Sequence, residues 1–148
     1  KGLSQSLQGF INEMKQKYTM EIVNNFCKPM FHHEYALSSL QREGYRLAVA
    51  SNSIKNSIEV MMDKAHLAQY LEFTISNQDV VKGKPDPEMY NKAISTLNLL
   101  PQECVIVEDN ENGIKAAHAS GAHVLKVDTV YDVNFDNIKK FILSVEGA

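Results

Sequence analysis

From Tyr45 to the C-terminus, short apolar runs alternate with amphipathic stretches, and this alternation limits the fold more than any other feature of the sequence. Tyr45–Ala50 (YRLAVA) is a compact run of strand length that stops at Ser51, Asn52 and Ser53. Ile54–Ala65 has the spacing of an amphipathic helix, and Phe73–Ser76 (FTIS) reads as a second strand. Pro87–Leu97 is predicted to be a helix with proline at its start. A strand over Val105–Val107, a helix over Glu111–Ser120 closed by Gly121, a strand over Val124–Val127 and a helix over Phe135–Val145 complete the series. Such alternation predicts an α/β fold: an open, Rossmann-like parallel sheet flanked by helices on both faces.

Residues 3–43 follow a different rule and read as helical throughout. Leu3, Leu7, Phe10, Ile11 and Met14 recur at helical spacing, and residues 20–27 form a second, shorter segment. Pro29 breaks the chain, His32–Glu43 is predicted as a third helix, and Gly44 suits the position just past its end.

The 148 residues suit one domain with a real core, and 44% hydrophobic with 22% charged residues is an ordinary globular balance. The net charge of −3, with no basic block, argues against nucleic acid or an anionic membrane as the main partner. No apolar run approaches the roughly 20 residues needed to span a bilayer. Cys27 and Cys104 are far apart and fit no metal spacing, and Cys104, which opens an apolar strand, reads as a reduced core thiol and favours a cytoplasmic location. His32 and His33 are adjacent, which places their side chains about 100° apart on a helix and favours a surface role. Nothing in the sequence sets the oligomeric state.

In open parallel sheets ligands sit beyond the carboxyl ends of the strands. Three groups fall there: Ser51-Asn52 after the first strand, Lys84 in the loop before the helix at Pro87, and Glu108-Asp109 after the third strand. A hydroxyl and backbone N–H groups at Ser51-Asn52 can hydrogen-bond phosphoryl oxygens. The Lys84 ammonium can offset phosphoryl charge, and Pro85 restricts Lys84 to extended geometry. Adjacent carboxylates repel, and a hard cation such as Mg²⁺ with oxygen ligands would compensate them. These parts suit phosphoryl transfer, where positioning and charge neutralisation do most of the catalysis. Each alone has a plainer reading: a turn, a solvated lysine, two acids favouring a helix N-terminus.

RLAVASNS, KGKPDPEMY and VIVEDNENGIKAAHASGAHVLKV together resemble the haloacid dehalogenase superfamily of hydrolases, and within it the beta-phosphoglucomutase-like branch. The resemblance runs from about Pro29 to Val127, with the motifs in the family's order. It implies that Ser51 binds the phosphoryl group, that Lys84 balances charge at the nucleophile, and that Glu108 and Asp109 hold Mg²⁺. It also implies a phosphatase or phosphomutase acting on a small phosphorylated metabolite, a sugar phosphate by preference. Asn52 is a further candidate donor to a phosphoryl oxygen.

The family's first motif, D-x-D-G-T, has no match in these residues. Its first aspartate is the nucleophile that becomes an aspartyl phosphate. The acids before Ser51 are Glu13, Glu21, Glu34 and Glu43, each in a helical pattern. The resemblance therefore implies residues 1–28 as the remnant of a helical cap and residues 29–148 as a core lacking its first strand. The strands ending at Ser51 and Glu108 would then pair directly or leave unpaired edges. The start at Lys1 rather than methionine favours the C-terminal part of a longer enzyme. A non-catalytic module that binds phosphate or Mg²⁺, or serves assembly, is the competing expectation. A response-regulator receiver domain is disfavoured, because there the acid pair comes first and the lysine last.

Overall fold

The computed structural model describes residues 5–147, apart from the side chains of residues 6 and 9. The chain runs α1 (Gln5–Phe26), α2 (Phe31–Arg42), β1 (Ala48–Ala50), α3 (Lys55–Lys64), β2 (Phe73–Ile75), α4 (Glu88–Leu97), β3 (Val105–Glu108), α5 (Glu111–Ser120), β4 (His123–Lys126) and α6 (Phe135–Glu146). The expected parallel α/β architecture is present. Among the described residues, no helix is long and apolar enough to cross a membrane.

The strands form two parallel pairs. In one, Ala48, Val49 and Ala50 lie opposite Phe73, Thr74 and Ile75. In the other, Val105 to Glu108 lie opposite His123 to Lys126. β1 and β3 do not pair with each other, so the sheet is divided where one continuous sheet is the simplest expectation. The same helices nevertheless cover both pairs. On one face Leu40 of α2 and Ile138 and Ile142 of α6 pack against Leu47, Val105, Val107 and Leu125. On the other, Tyr90 of α4 and Ala116 and Ala117 of α5 pack against Ala50, Ile106 and Val124. Successive β3 side chains point to opposite layers, so Val105 and Val107 face one and Ile106 the other.

Local chemistry sets the helix ends. Asn110 caps the start of α5, its side chain accepting from the Asn112 N–H at 2.9 Å. Gly44 and Gly121 take positive φ, +92° and +82°, just beyond α2 and α5, as glycine readily does. α1 is one continuous helix, where the sequence suggests two segments. Its main packing partner is α3, with a Ser57 Oγ to Met20 Sδ contact of 3.8 Å, and Val23 of α1 is buried. Phe10, Met14, Tyr18, Ile22 and Phe26 of α1 are exposed.

Candidate active site

The site is built at the carboxyl ends of β1 and β3. β1 delivers Ala50, Ser51 and Asn52 to the rim, and β3 delivers Glu108 and Asp109. Lys84 enters from the loop before α4, across a cis Lys84–Pro85 peptide. Its ammonium donates to the Ala50 carbonyl at 3.0 Å and to Glu108 Oε2 at 2.8 Å. One lysine therefore ties together the ends of two strands that do not pair.

Glu108 is held on every side. Its Oε2 also accepts from the Tyr90 hydroxyl at 2.6 Å, and its Oε1 accepts from the backbone N–H groups of Asp109 and Asn110 at 3.0 and 3.1 Å. A carboxylate offers about four such positions, so these four donors nearly saturate it. The Tyr90 ring also lies against the Lys84 ammonium, 4.5 Å from nitrogen to ring centre. The Lys84 and Glu108 side chains are each only 10% exposed. Burial pushes the Glu108 pKa up, but the hydrogen bonds from Lys84, Tyr90 and the Asn110 N–H outweigh it and hold the carboxyl at about 2. The Tyr90 hydroxyl is driven far above its ordinary range, by burial first and by the Glu108 carboxylate second.

The Glu108 side chain folds across the start of α5, into space that a side chain at residue 113 would occupy. A Cβ added to Gly113 would stand 2.1 Å from both Cδ and Oε2 of Glu108. Neither Tyr90 nor Gly113 is among the site candidates named from the sequence. The signal available for Gly113 was a glycine in the first turn of a helix, where it is a poor helix former and so asks for a reason. For Tyr90 the signal was a hydroxyl on a helix face otherwise suited to the core.

The other site candidates are placed as follows. The Ser51 N–H donates to Ile75 O at 2.9 Å, and its hydroxyl accepts from the Ser53 N–H at 3.2 Å in a local turn. Asn52 bonds to the backbone of Lys84 on both sides. The Asp109 carboxylate is exposed and, among the described residues, has no hydrogen bond or ion pair. Asp79 and Glu88 order the loop leading to Lys84. Asp79 accepts from the Ser76 N–H at 2.8 Å and the Ser76 hydroxyl at 2.7 Å, and Glu88 accepts from the N–H groups of Val81 and Lys82, both at 2.8 Å. Two grooves, of about 410 and 350 Å³, lie elsewhere, between β4 and α6 and between α3 and β2. The first is lined by Lys126, Asp128, Asp132 and Lys140 and the second by Glu59 and Asp63, and neither lining includes Ser51, Asn52, Lys84, Glu108 or Asp109.

The oxygen donors suit a hard divalent cation. Lys84 already neutralises Glu108, which leaves Asp109 as the unpaired negative group beside it. Among the described residues no three His, Cys, Asp or Glu side chains gather as a metal group. Asp109 is thus the carboxylate open to such a cation, and Glu108 could join it only by giving up one of its four donors.

Residues 2–127 match the family of haloacid dehalogenase-like hydrolases. Over 96 residues the chain is 33% identical to a validoxylamine A 7'-phosphate phosphatase of Streptomyces hygroscopicus subsp. limoneus, covering 65% of this chain and 45% of that protein. Over 98 residues it is 28% identical to a phosphorylated carbohydrates phosphatase of Thermotoga maritima, covering 66% and 43% respectively. The chain thus spans less than half the length of these two relatives. Its fold superimposes on the crystal structure of a beta-phosphoglucomutase from Clostridium difficile with a TM-score of 0.81 at 20% identity, covering 99% of this chain and 71% of that one. The chain belongs to the haloacid dehalogenase-like hydrolase family.

Proposed function

We propose that the rim around Lys84 is the phosphoryl-handling part of a Mg²⁺-dependent hydrolase or phosphomutase acting on a small phosphorylated metabolite, a sugar phosphate by class. The observation that carries this reading is the Lys84 ammonium, fixed between Ala50 O and Glu108 beside the unpartnered Asp109 carboxylate. The names of the two phosphatase relatives support a small phosphorylated substrate, and that of the phosphorylated carbohydrates phosphatase supports the sugar class.

In this reading Lys84 offsets the charge of an incoming phosphoryl group. Ser51 presents its hydroxyl to a phosphoryl oxygen, since its bond to the Ser53 N–H leaves the hydroxyl proton free to be donated. Glu108 holds Lys84 in place through a charge-assisted bond, and Asp109 with Glu108 would hold Mg²⁺. When bound, Mg²⁺ would supply charge neutralisation at the phosphoryl oxygens. These residues bind and neutralise, and none of them is assigned as nucleophile, because the family's aspartate motif has no match among the 148 residues. The unpaired edges of β1 and β3 support a core (residues 29–148) lacking one strand between them. α1, with its exposed apolar residues, supports residues 1–28 as cap. The free thiols of Cys27 and Cys104 support a cytoplasmic setting.

Calorimetric titration of the 148-residue chain with Mg²⁺ tests the metal reading. Asp109→Asn is expected to weaken Mg²⁺ binding about tenfold or more, the loss of one charged oxygen ligand, while Asp79→Asn leaves it unchanged. Equal binding in wild type and Asp109→Asn would remove the acid pair from the metal site. Hydrolysis of p-nitrophenyl phosphate, with Mg²⁺ and with EDTA, tests the nucleophile. No turnover is expected from these residues alone. Turnover that needs Mg²⁺ and disappears in Asp109→Asn would place a nucleophile among them.

A further inference from the structure

We propose that Asn52 is a positioning residue for Lys84: its carboxamide grips both backbone polar groups of Lys84 and so aims the ammonium at the two strand ends. The Lys84 N–H donates to Asn52 Oδ1 at 3.0 Å, and Asn52 Nδ2 donates to the Lys84 carbonyl at 3.3 Å. Only a carboxamide offers a donor and an acceptor side by side. Aspartate lacks the donor, and serine reaches with one atom.

The neighbouring residues fit this grip. A Cβ on Gly83 would stand 2.9 Å from Asn52 Oδ1, so the loop approaches the amide as closely as glycine permits. The near side of the loop is bound from α4, by Glu88 to Val81 and Lys82. The far side is bound from the segment just beyond β1, by the Asn52 side chain. Lys84 Nζ then reaches back to Ala50 O at 3.0 Å, so three hydrogen bonds link the β1 end to this single lysine. A lysine side chain has several rotatable bonds and a compact charge, so its direction is set mainly by where its backbone is held. Fixing that backbone lowers the entropy lost when the ammonium is placed. Asn52 therefore acts through Lys84. The Asn52 Nδ2 carries a second N–H, so the expected donation to a phosphoryl oxygen would have to come from the hydrogen that this grip does not use.

The functional meaning rests on the reading of Lys84 as the charge-balancing residue, but the grip can be tested without it. Backbone amide exchange of the full chain by NMR is the measurement, on wild type, Asn52→Ala and Gly83→Ala, the last leaving Asn52 in place but pushing its amide aside. Exchange at Lys84 is expected to quicken about tenfold in both variants, as for the loss of one hydrogen bond, while the amides of β4 stay within about twofold. Unchanged exchange at Lys84 in Asn52→Ala, or equal acceleration at Lys84 and β4, would overturn the proposal. Titration with inorganic phosphate, followed at the same resonances, separates the roles. Weaker phosphate binding in both variants, together with quickened Lys84 exchange, supports positioning. Weaker binding in Asn52→Ala with Lys84 exchange intact makes Asn52 a ligand and overturns it. If wild type binds no phosphate, the phosphoryl-site reading falls, and exchange alone still decides the grip.

Discussion

Gly113→Ala is expected to destabilise the protein by about 2–4 kcal/mol, read as a lower midpoint in urea with an unchanged slope. Alanine is the better helix former by about 1 kcal/mol, so propensity alone predicts the opposite sign. Geometry decides against propensity. The new methyl carbon would lie 2.1 Å from Glu108 Oε2, and Glu108 cannot step aside cheaply because Lys84, Tyr90 and two backbone N–H groups hold it. Either α5 shifts within a packed layer, at about 1–3 kcal/mol for overpacking, or Glu108 leaves and Lys84 loses its partner. The double variant Glu108→Ala/Gly113→Ala isolates the cause. With the carboxylate gone, the alanine at 113 is expected to be neutral or stabilising by up to about 1 kcal/mol. A Gly113→Ala protein as stable as wild type would mean that Glu108 does not lie across α5.

The second large effect belongs to Glu108→Gln, expected to cost on the order of 3 kcal/mol at neutral pH in EDTA. The loss has a definite pH signature. The Glu108 carboxyl titrates near 4.5 when unperturbed and is held at about 2 in the fold. As pH falls, the unfolded chain takes up this proton first. The stabilisation from Glu108 is therefore complete above about 4.5 and is lost as pH falls toward about 2. Wild type and Glu108→Gln should differ most at neutral pH and converge in acid. Parallel stability curves from neutral pH to about 2.5 would show that the Lys84–Glu108 contact adds nothing to the fold.

The Lys84–Glu108 pair also bears on how this rim works. A buried ion pair often adds little net stability over apolar packing, because desolvation offsets attraction. Its value here is placement: the same lysine reaches Ala50 O and Glu108, and the Tyr90 ring and hydroxyl leave that ammonium and carboxylate few alternatives. The exposed Asp109, by contrast, has no partner among the described residues to give up before meeting a ligand.

Much of the fold was legible in the sequence because it is written in local pattern. Short apolar runs of strand length, helical apolar spacing, a proline before α4 and glycines after α2 and α5 located most of the elements after Pro29. Ser51, Asn52, Lys84, Glu108 and Asp109 could be named as rim candidates because a strand's end is a local fact and parallel sheets gather those ends on one side. Other features depend on residues far apart in the chain. Two expected helical segments became one continuous α1, since no breaker separates them and packing on α3 supports its C-terminal half. His32 and His33, read as helix surface, both bond the Val130 carbonyl, at 3.1 and 2.7 Å. The sequence by itself determined the kind of layers, the direction of the strands and the residue types at the rim, because periodicity and chain punctuation act over a few neighbouring residues. Only the tertiary structure decided that β1 and β3 stay unpaired, that Tyr90 turns its hydroxyl onto Glu108, that Glu108 takes the space above Gly113, and that Asn52 closes on Lys84. Those outcomes depend on crossovers that bring separate strand ends within a hydrogen bond of one lysine, a distance no local pattern encodes.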